Sequence, residues 1–203
     1  MKLYRTLASA MEDADAVEAL KLDVKDGRFP PELFMLNNLK ELYLEGNCTD
    51  VPKVGQPWPQ LRLLSIKWTA FKGDLSKLIA LPTVENLKII ETPQPRMILP
   101  IGMALPKLKS LTMKNCTLEA LPEEITIFPE LTELNLSGNS LQELPQSFAD
   151  LKKLKRLNLD QNHFEKFPDL IKSMPGLSHL SIDGNPFPEA EKARIQREFH
   201  IWL

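Results

Sequence analysis

A chain of 203 residues, 43% of them hydrophobic, can bury a sizeable core, and by length alone it could form one or two ordinary domains. A formal charge of −2 and a pI near 6 argue against a nucleic-acid binder, which needs a basic face to displace counterions from phosphates. No apolar run approaches the roughly 18 to 20 residues of a membrane-spanning helix, so no membrane span is expected.

The opening Met1-Lys2-Leu3-Tyr4-Arg5 is followed by no apolar stretch of the kind a signal peptide carries, and a leader removed ahead of it stays open. From 2 to about 13, Leu3, Leu7, Ala10 and Met11 fall at helical spacing with Glu12 and Asp13 behind them. This predicts an amphipathic helix that covers the open edge of the first strand.

From Val17 an apolar pattern recurs eight times. Its first column is Val17, Leu39, Leu61, Val84, Leu108, Leu131, Leu154 and Leu177. Three residues on come Leu20, Leu42, Leu64, Leu87, Leu111, Leu134, Leu157 and Leu180, and two further Leu22, Leu44, Ile66, Ile89, Met113, Leu136, Leu159 and Ile182. All 24 positions are Leu, Ile, Val or Met, at repeat spacings of 22 to 24. Each unit reads as a short strand whose second and third columns share a face. One unit cannot bury its apolar side alone, so the units stack into a parallel sheet.

Two more apolar columns close the coil. Leu36, Trp58, Leu81, Leu105, Phe128, Leu151 and Met174 stand three residues before each strand. Leu33, Leu78, Ile125, Phe148 and Ile171 stand six before, with Gly55 and Gly102 as exceptions. Leu121-Pro122, Leu144-Pro145 and Phe167-Pro168 turn the chain onto the convex side, where short 3₁₀ turns fit better than full helices. That side is wider than a strand spacing of about 4.8 Å, so the stack curves with its sheet on the concave side.

Asn47, Asn139, Asn162 and Asn185 form a column that predicts buried amides bonding the neighbouring coil. Lys25, Thr69, Thr92 and Cys116 interrupt it, so a weaker ladder is expected through repeats three to five. Irregularity is also expected at Pro57-Trp58-Pro59 and at Pro93, Pro95 and Pro100. Cys48 and Cys116 lie three repeats apart, on the order of 14 Å, which predicts free thiols. Asn185-Pro186-Phe187-Pro188 ends the coil, and Glu189 to about Phe199 predicts a capping helix. Ile201-Trp202-Leu203 is expected to pack on the last coil or add a strand. One domain over 1–203 follows, with a cap at 1–16, repeats at 17–187 and a cap at 188–203.

With the motif L-x-x-L-x-L-x-x-N-x-L at Leu131 to Leu141, Leu154 to Phe164 and Leu177 to Phe187, the chain resembles the leucine-rich repeat family. The L-P-x-x-I/F segments resemble its 23-residue "typical" class, and the two ends resemble bacterial members, some of them secreted or displayed. The resemblance implies an α/β right-handed solenoid, a horseshoe arc with a concave parallel sheet and helical caps. It implies a non-enzymatic module that binds a protein, with no cofactor or metal. Cysteine-rich caps of animal extracellular members are missing, which points to a cytosolic or a bacterial protein, in the bacterial cytoplasm or exported if a leader was removed. Some bacterial members are ubiquitin ligases with a C-x-D motif in a separate domain. Cys48-Thr49-Asp50 lies within repeat two instead and reads as a small residue beside the amide column.

Only outward strand positions can meet a partner. Tyr43, Leu63, Trp68 and Ile90 put large apolar groups among Ser65, Lys67 and Lys88, the composition of a binding hot spot. These seven residues form the candidate protein-binding site. Trp58 falls on a core column and is structural, and Trp202 is expected to pack in the cap. His163, His179 and His200 are scattered and suggest no catalytic constellation. The run Lys152-Lys153-Leu154-Lys155-Arg156 reads as a solvated face. A monomer is expected, with self-association of a structural or surface protein as the alternative.

Overall fold

Alternation along each unit turns its apolar residues to one side, and parallel stacking buries them. The computed structural model describes residues 1–52, 58–73, 81–93 and 105–202. Its strands are β1 (Leu3–Tyr4), β2 (Ala19–Val24), β3 (Glu41–Gly46), β4 (Leu63–Trp68) and β5 (Asn86–Ile90). They continue as β6 (Ser110–Lys114), β7 (Glu133–Asn135), β8 (Arg156–Asn158) and β9 (His179–Ser181). All pair in parallel, in sequence order, in one curved and unclosed sheet of nine strands. The register sets Leu20, Leu42, Leu64, Leu87, Leu111, Leu134, Leu157 and Leu180 side by side.

The three strand columns are buried throughout repeats two to seven. In repeat eight, Leu177 and Leu180 are only half-buried, because no further coil covers them. The convex side carries 3₁₀ turns at Pro31–Met35, Glu123–Ile127, Gln146–Asp150 and Asp169–Ser173, each starting after a proline or on one. Leu33, Ile125, Phe148 and Ile171 point inward from these turns. Gly55, Pro57, Leu78, Pro95, Pro100, Gly102 and Leu203 lie outside the described residues.

The interior changes character along the arc. In the C-terminal half the amide ladder forms as expected. Asn139 Oδ1 accepts from Cys116 N and Leu118 N at 3.0 and 3.1 Å, and its Nδ2 donates to Met113 O and Leu136 O at 2.8 and 2.7 Å. Asn162 and Asn185 repeat this, accepting from Leu141 N and Phe164 N. Buried Thr92 continues the ladder with a hydroxyl, accepting from Trp68 N at 2.9 Å and donating to Ile90 O at 3.1 Å.

The N-terminal half is built differently: Asn47 Oδ1 accepts from Gly27 N of the neighbouring coil at 3.2 Å as expected, but the residue is exposed and not buried. β2, β3 and β4 run for six residues, so alternation continues one step further and turns Val24, Gly46 and Trp68 inward in register. The same parity brings in Cys48 in place of Asn47. Gly46 is required there, since at φ 103° an added Cβ would stand 2.3 Å from Val24 O. Aromatic rings fill the space instead of amides. Trp68 meets Phe29 edge-on at 6.3 Å and Phe71 at 5.2 Å, and Phe34 bridges Phe29 to Trp58 at 5.2 and 5.3 Å. Trp58 Nε1 donates to Leu33 O at 2.7 Å, as befits its structural column.

The N-terminal lid differs from a single helix over 2–13. β1 pairs with β2, then comes the short helix α1 (Leu7–Met11), N-capped by Thr6. A strand satisfies the edge backbone groups of β2, which a helix laid against them could not. At the other end the expected helix is present as α2 (Glu189–Phe199), with Ile195 buried and the Phe199 ring 4.1 Å from that of Phe167. Trp202, expected to pack in the cap, is instead 79% exposed, and Ile201 and Trp202 form no strand. Both cysteines are free and buried.

Candidate functional site

Burying the even positions of β3 and β4 leaves their odd positions on the concave surface. Tyr43, Leu63, Ser65, Lys67, Lys88 and Ile90 all stand there, half-buried, on adjacent strands. Register places Lys21, Tyr43, Ser65, Lys88 and Thr112 in one row across β2 to β6, and Glu41, Leu63, Asn86 and Ser110 in the next. Trp68 does not join them. It follows Leu64 and Ile66 in parity and is fully buried, so it belongs to the core and not to the surface. Its Nε1 is the one buried side-chain nitrogen or oxygen without a hydrogen-bond partner among the described residues.

Charged neighbours hold this surface in place. Tyr43 Oη donates to Glu41 Oε2 at 2.9 Å, and burial followed by that carboxylate pushes the phenol above its ordinary pKa. Lys21 pairs with Glu45, and Lys67 with Glu91, both at 2.8 Å. The Glu91 carboxylate raises the Lys67 pKa and neutralises its charge locally. Three half-buried apolar groups are thus framed by two ion pairs, with Lys88 among them.

A second concave feature was not singled out from sequence. A shallow depression of about 430 Å³ lies over β6 to β9, lined along its middle row by Thr112, Asn135, Asn158 and Ser181, and along its rim by Glu133, Arg156 and His179. Its signal was the run of hydroxyl and amide residues in one outward column. Asn135 and Asn158 spend their carbonyl oxygens on Ser137 N and Asp160 N, so they also shape the turns below the strands. Two outward positions are closed instead: Ala19, lying against β1, and Ser137 are buried.

Among the described residues, no group of three or more His, Cys, Asp or Glu side chains could hold a metal ion. No helix among them is long and apolar enough to cross a membrane. The arrangement is a broad, open surface of mixed character.

Comparison with known proteins agrees with this geometry. The profile of the family described as leucine rich repeat matches residues 106–164 and 129–187. No sequence among curated proteins matches. A Leptospira interrogans leucine-rich repeat protein is similar in structure at a TM-score of 0.52 and 21% identity, over 98% of this chain and 68% of that one. Listeria monocytogenes InlP is similar at 0.65 and 22%, over 83% of this chain and 49% of its own. The Drosophila Toll–Spätzle complex contains a chain similar at 0.68 and 20%, over 90% of this chain and 26% of that one. This chain therefore spans half or less of the Listeria and Drosophila chains. Identities near 20% carry the fold and nothing finer.

Proposed function

We propose that this chain, a leucine-rich repeat protein by its match over 106–187 and by its fold, is a non-enzymatic interaction module that binds a protein through its concave sheet. The observation that carries this reading is the surface of β3 to β5. Tyr43 and Leu63 stand on adjacent strands and Ile90 further along the next, all partly exposed on one face and bordered by ion pairs. An apolar centre with a charged rim is how binding energy concentrates in protein interfaces. Nine strands at about 4.8 Å give a concave face that approaches the roughly 800 Å² per partner of a standard interface. The Drosophila neighbour was solved in a complex with Spätzle, and only the class of ligand, a protein, is carried over. A photo-crosslinking residue at Ser65, compared with one at exposed Glu124 on the convex side, tests the assignment. Partner adducts from Ser65 alone support it, and adducts from Glu124 alone reject it.

Self-association is the second reading, and the ends of the sheet favour it. Leu177 and Leu180 are half-buried in the last repeat, and Leu3 in β1 is 39% exposed. Edge strands with apolar side chains can pair with another chain. A solution mass that rises with concentration would support this reading, and a constant monomer mass would reject it.

A further inference from the structure

We infer that the partner presents an acidic segment to the centre of the concave sheet, seating a carboxylate between Lys88 and Lys114 and an apolar neighbour on Ile90. This rests on the concave-face reading above and adds the chemistry of the ligand. The basis is a charge inventory. Five lysine or arginine residues stand in the outward columns of the sheet: Lys21, Lys67, Lys88, Lys114 and Arg156. Lys21 and Lys67 have carboxylates at 2.8 Å, and Arg156 has Glu133 at 3.7 Å. Among the described residues, only Lys88 and Lys114 of these five lack an ion-pair partner.

The two are neighbours. Register pairs Lys88 with Thr112 and Ile90 with Lys114, so Lys114 lies one strand over and two residues along from Lys88. Strand spacing and rise put their Cα atoms roughly 8 Å apart. Unneutralised ammonium groups on side chains rooted that close repel each other, and one carboxylate between them removes the repulsion. The site is central, half-shielded and on a concave surface, where charge acts more strongly than on an open one. Lys88 is half-buried, Lys114 exposed, and Ile90 stands beside Lys114 with Leu63 further along the same face. An acidic residue flanked by an aliphatic or aromatic one matches this pattern.

A phosphate chain fits less well. Two free cations neutralise two phosphates at most. Further along the same face the outward positions carry Asp160 and Asp183, which repel a polyanion. An acidic side chain within a mixed peptide meets neither obstacle.

The test is selection of short random peptides on phage against the full chain, followed by fluorescence anisotropy of the enriched peptides. The expected result is enrichment of Asp or Glu next to Leu, Ile or Phe, with binding that weakens as salt rises. Lys88→Gln and Lys114→Gln each weaken it by up to about fivefold, and the Lys→Arg versions retain it. Absence of selected binders, or binders without acidic enrichment, would overturn the inference. Peptides lost on Tyr43→Ala but unaffected by the double Lys→Gln variant would overturn the acidic assignment and leave the concave site standing. Peptides unaffected by all of these variants would overturn both. An oligouridylate that binds more tightly than any selected peptide would overturn it in favour of nucleic acid.

Discussion

Replacing Asn139 by alanine removes an amide whose four shorter bonds serve the N–H groups of Cys116 and Leu118 and the carbonyls of Met113 and Leu136, with a longer one to Ser137 O at 3.4 Å. Each buried polar group left unpaired costs about 1 to 3 kcal/mol. One water, with a share of liquid volume of about 30 Å³, can enter the vacated space and serve about three of the four. The net loss expected is about 2 to 4 kcal/mol. Asn185, half-buried at the end of the ladder, accepts from Phe164 N alone, donates to Leu159 O and Ile182 O, and is within reach of solvent, which replaces these bonds. Its truncation should cost about 1 kcal/mol. Urea unfolding followed by circular dichroism, with unchanged m-values, gives both numbers. A loss for Asn139→Ala no larger than that for Asn185→Ala would refute the ladder as the stabilising feature of this half. Asn139→Asp adds a check on sign. One carboxylate oxygen would keep the Cys116 and Leu118 N–H groups, but burial and the facing Met113 and Leu136 carbonyls outweigh them, so its folded pKa lies above the unfolded value near 3.9. That variant should be most stable below about pH 4 and lose stability as pH rises through the raised value.

Other perturbations separate core from surface. Trp68→Ala should cost about 3 to 5 kcal/mol, whereas Tyr43→Ala should stay within about 1 kcal/mol; denaturant midpoints distinguish them, and equal losses would contradict the placement of Trp68. The Arg194 guanidinium, 2.6 Å from Glu191, and the Phe167 N–H hold the Glu191 carboxyl down to about 2. A depressed folded pKa means that this contribution is complete above the ordinary 4.5 and is lost as pH falls toward 2. The docking of α2 should therefore loosen in that window, followed by exchange of its amide protons, and Glu191→Gln should remove the dependence. Burial pushes the Cys116 thiol up to about 11, so a thiol reagent near neutral pH should reach it only on unfolding. Rapid labelling of the native protein would contradict this.

The solenoid was legible because its signal repeats. The three columns from Val17 to Ile182 recur in every coil, and the prolines before the 3₁₀ turns mark the same step of three of them. What escaped were features specific to one place. Leu3–Tyr4 is too short for alternation to show, so its residues read as the start of a helix. Asn47 matched the amide column, but the length of β3 shifted the parity and brought in Cys48. Strand length depends on the neighbouring strand, which a single repeat does not reveal. Trp68 failed as a surface residue for the same reason, although its parity with Leu64 and Ile66 already pointed inward. Of the candidate site, the half-buried positions of Tyr43, Leu63, Ser65, Lys67, Lys88 and Ile90 followed from period two alone. The ion pairs that leave Lys88 and Lys114 free depend on side-chain reach between coils and needed coordinates.

Binding on the concave sheet is tested most directly by comparative capture from lysate, using the intact chain and a Tyr43→Ala/Ile90→Ala variant with matched circular dichroism. A protein retained by the intact chain and lost by the variant is the expected result. The same proteins retained equally by both would contradict an interface on β3 to β5, and nothing retained by either would contradict an interaction module.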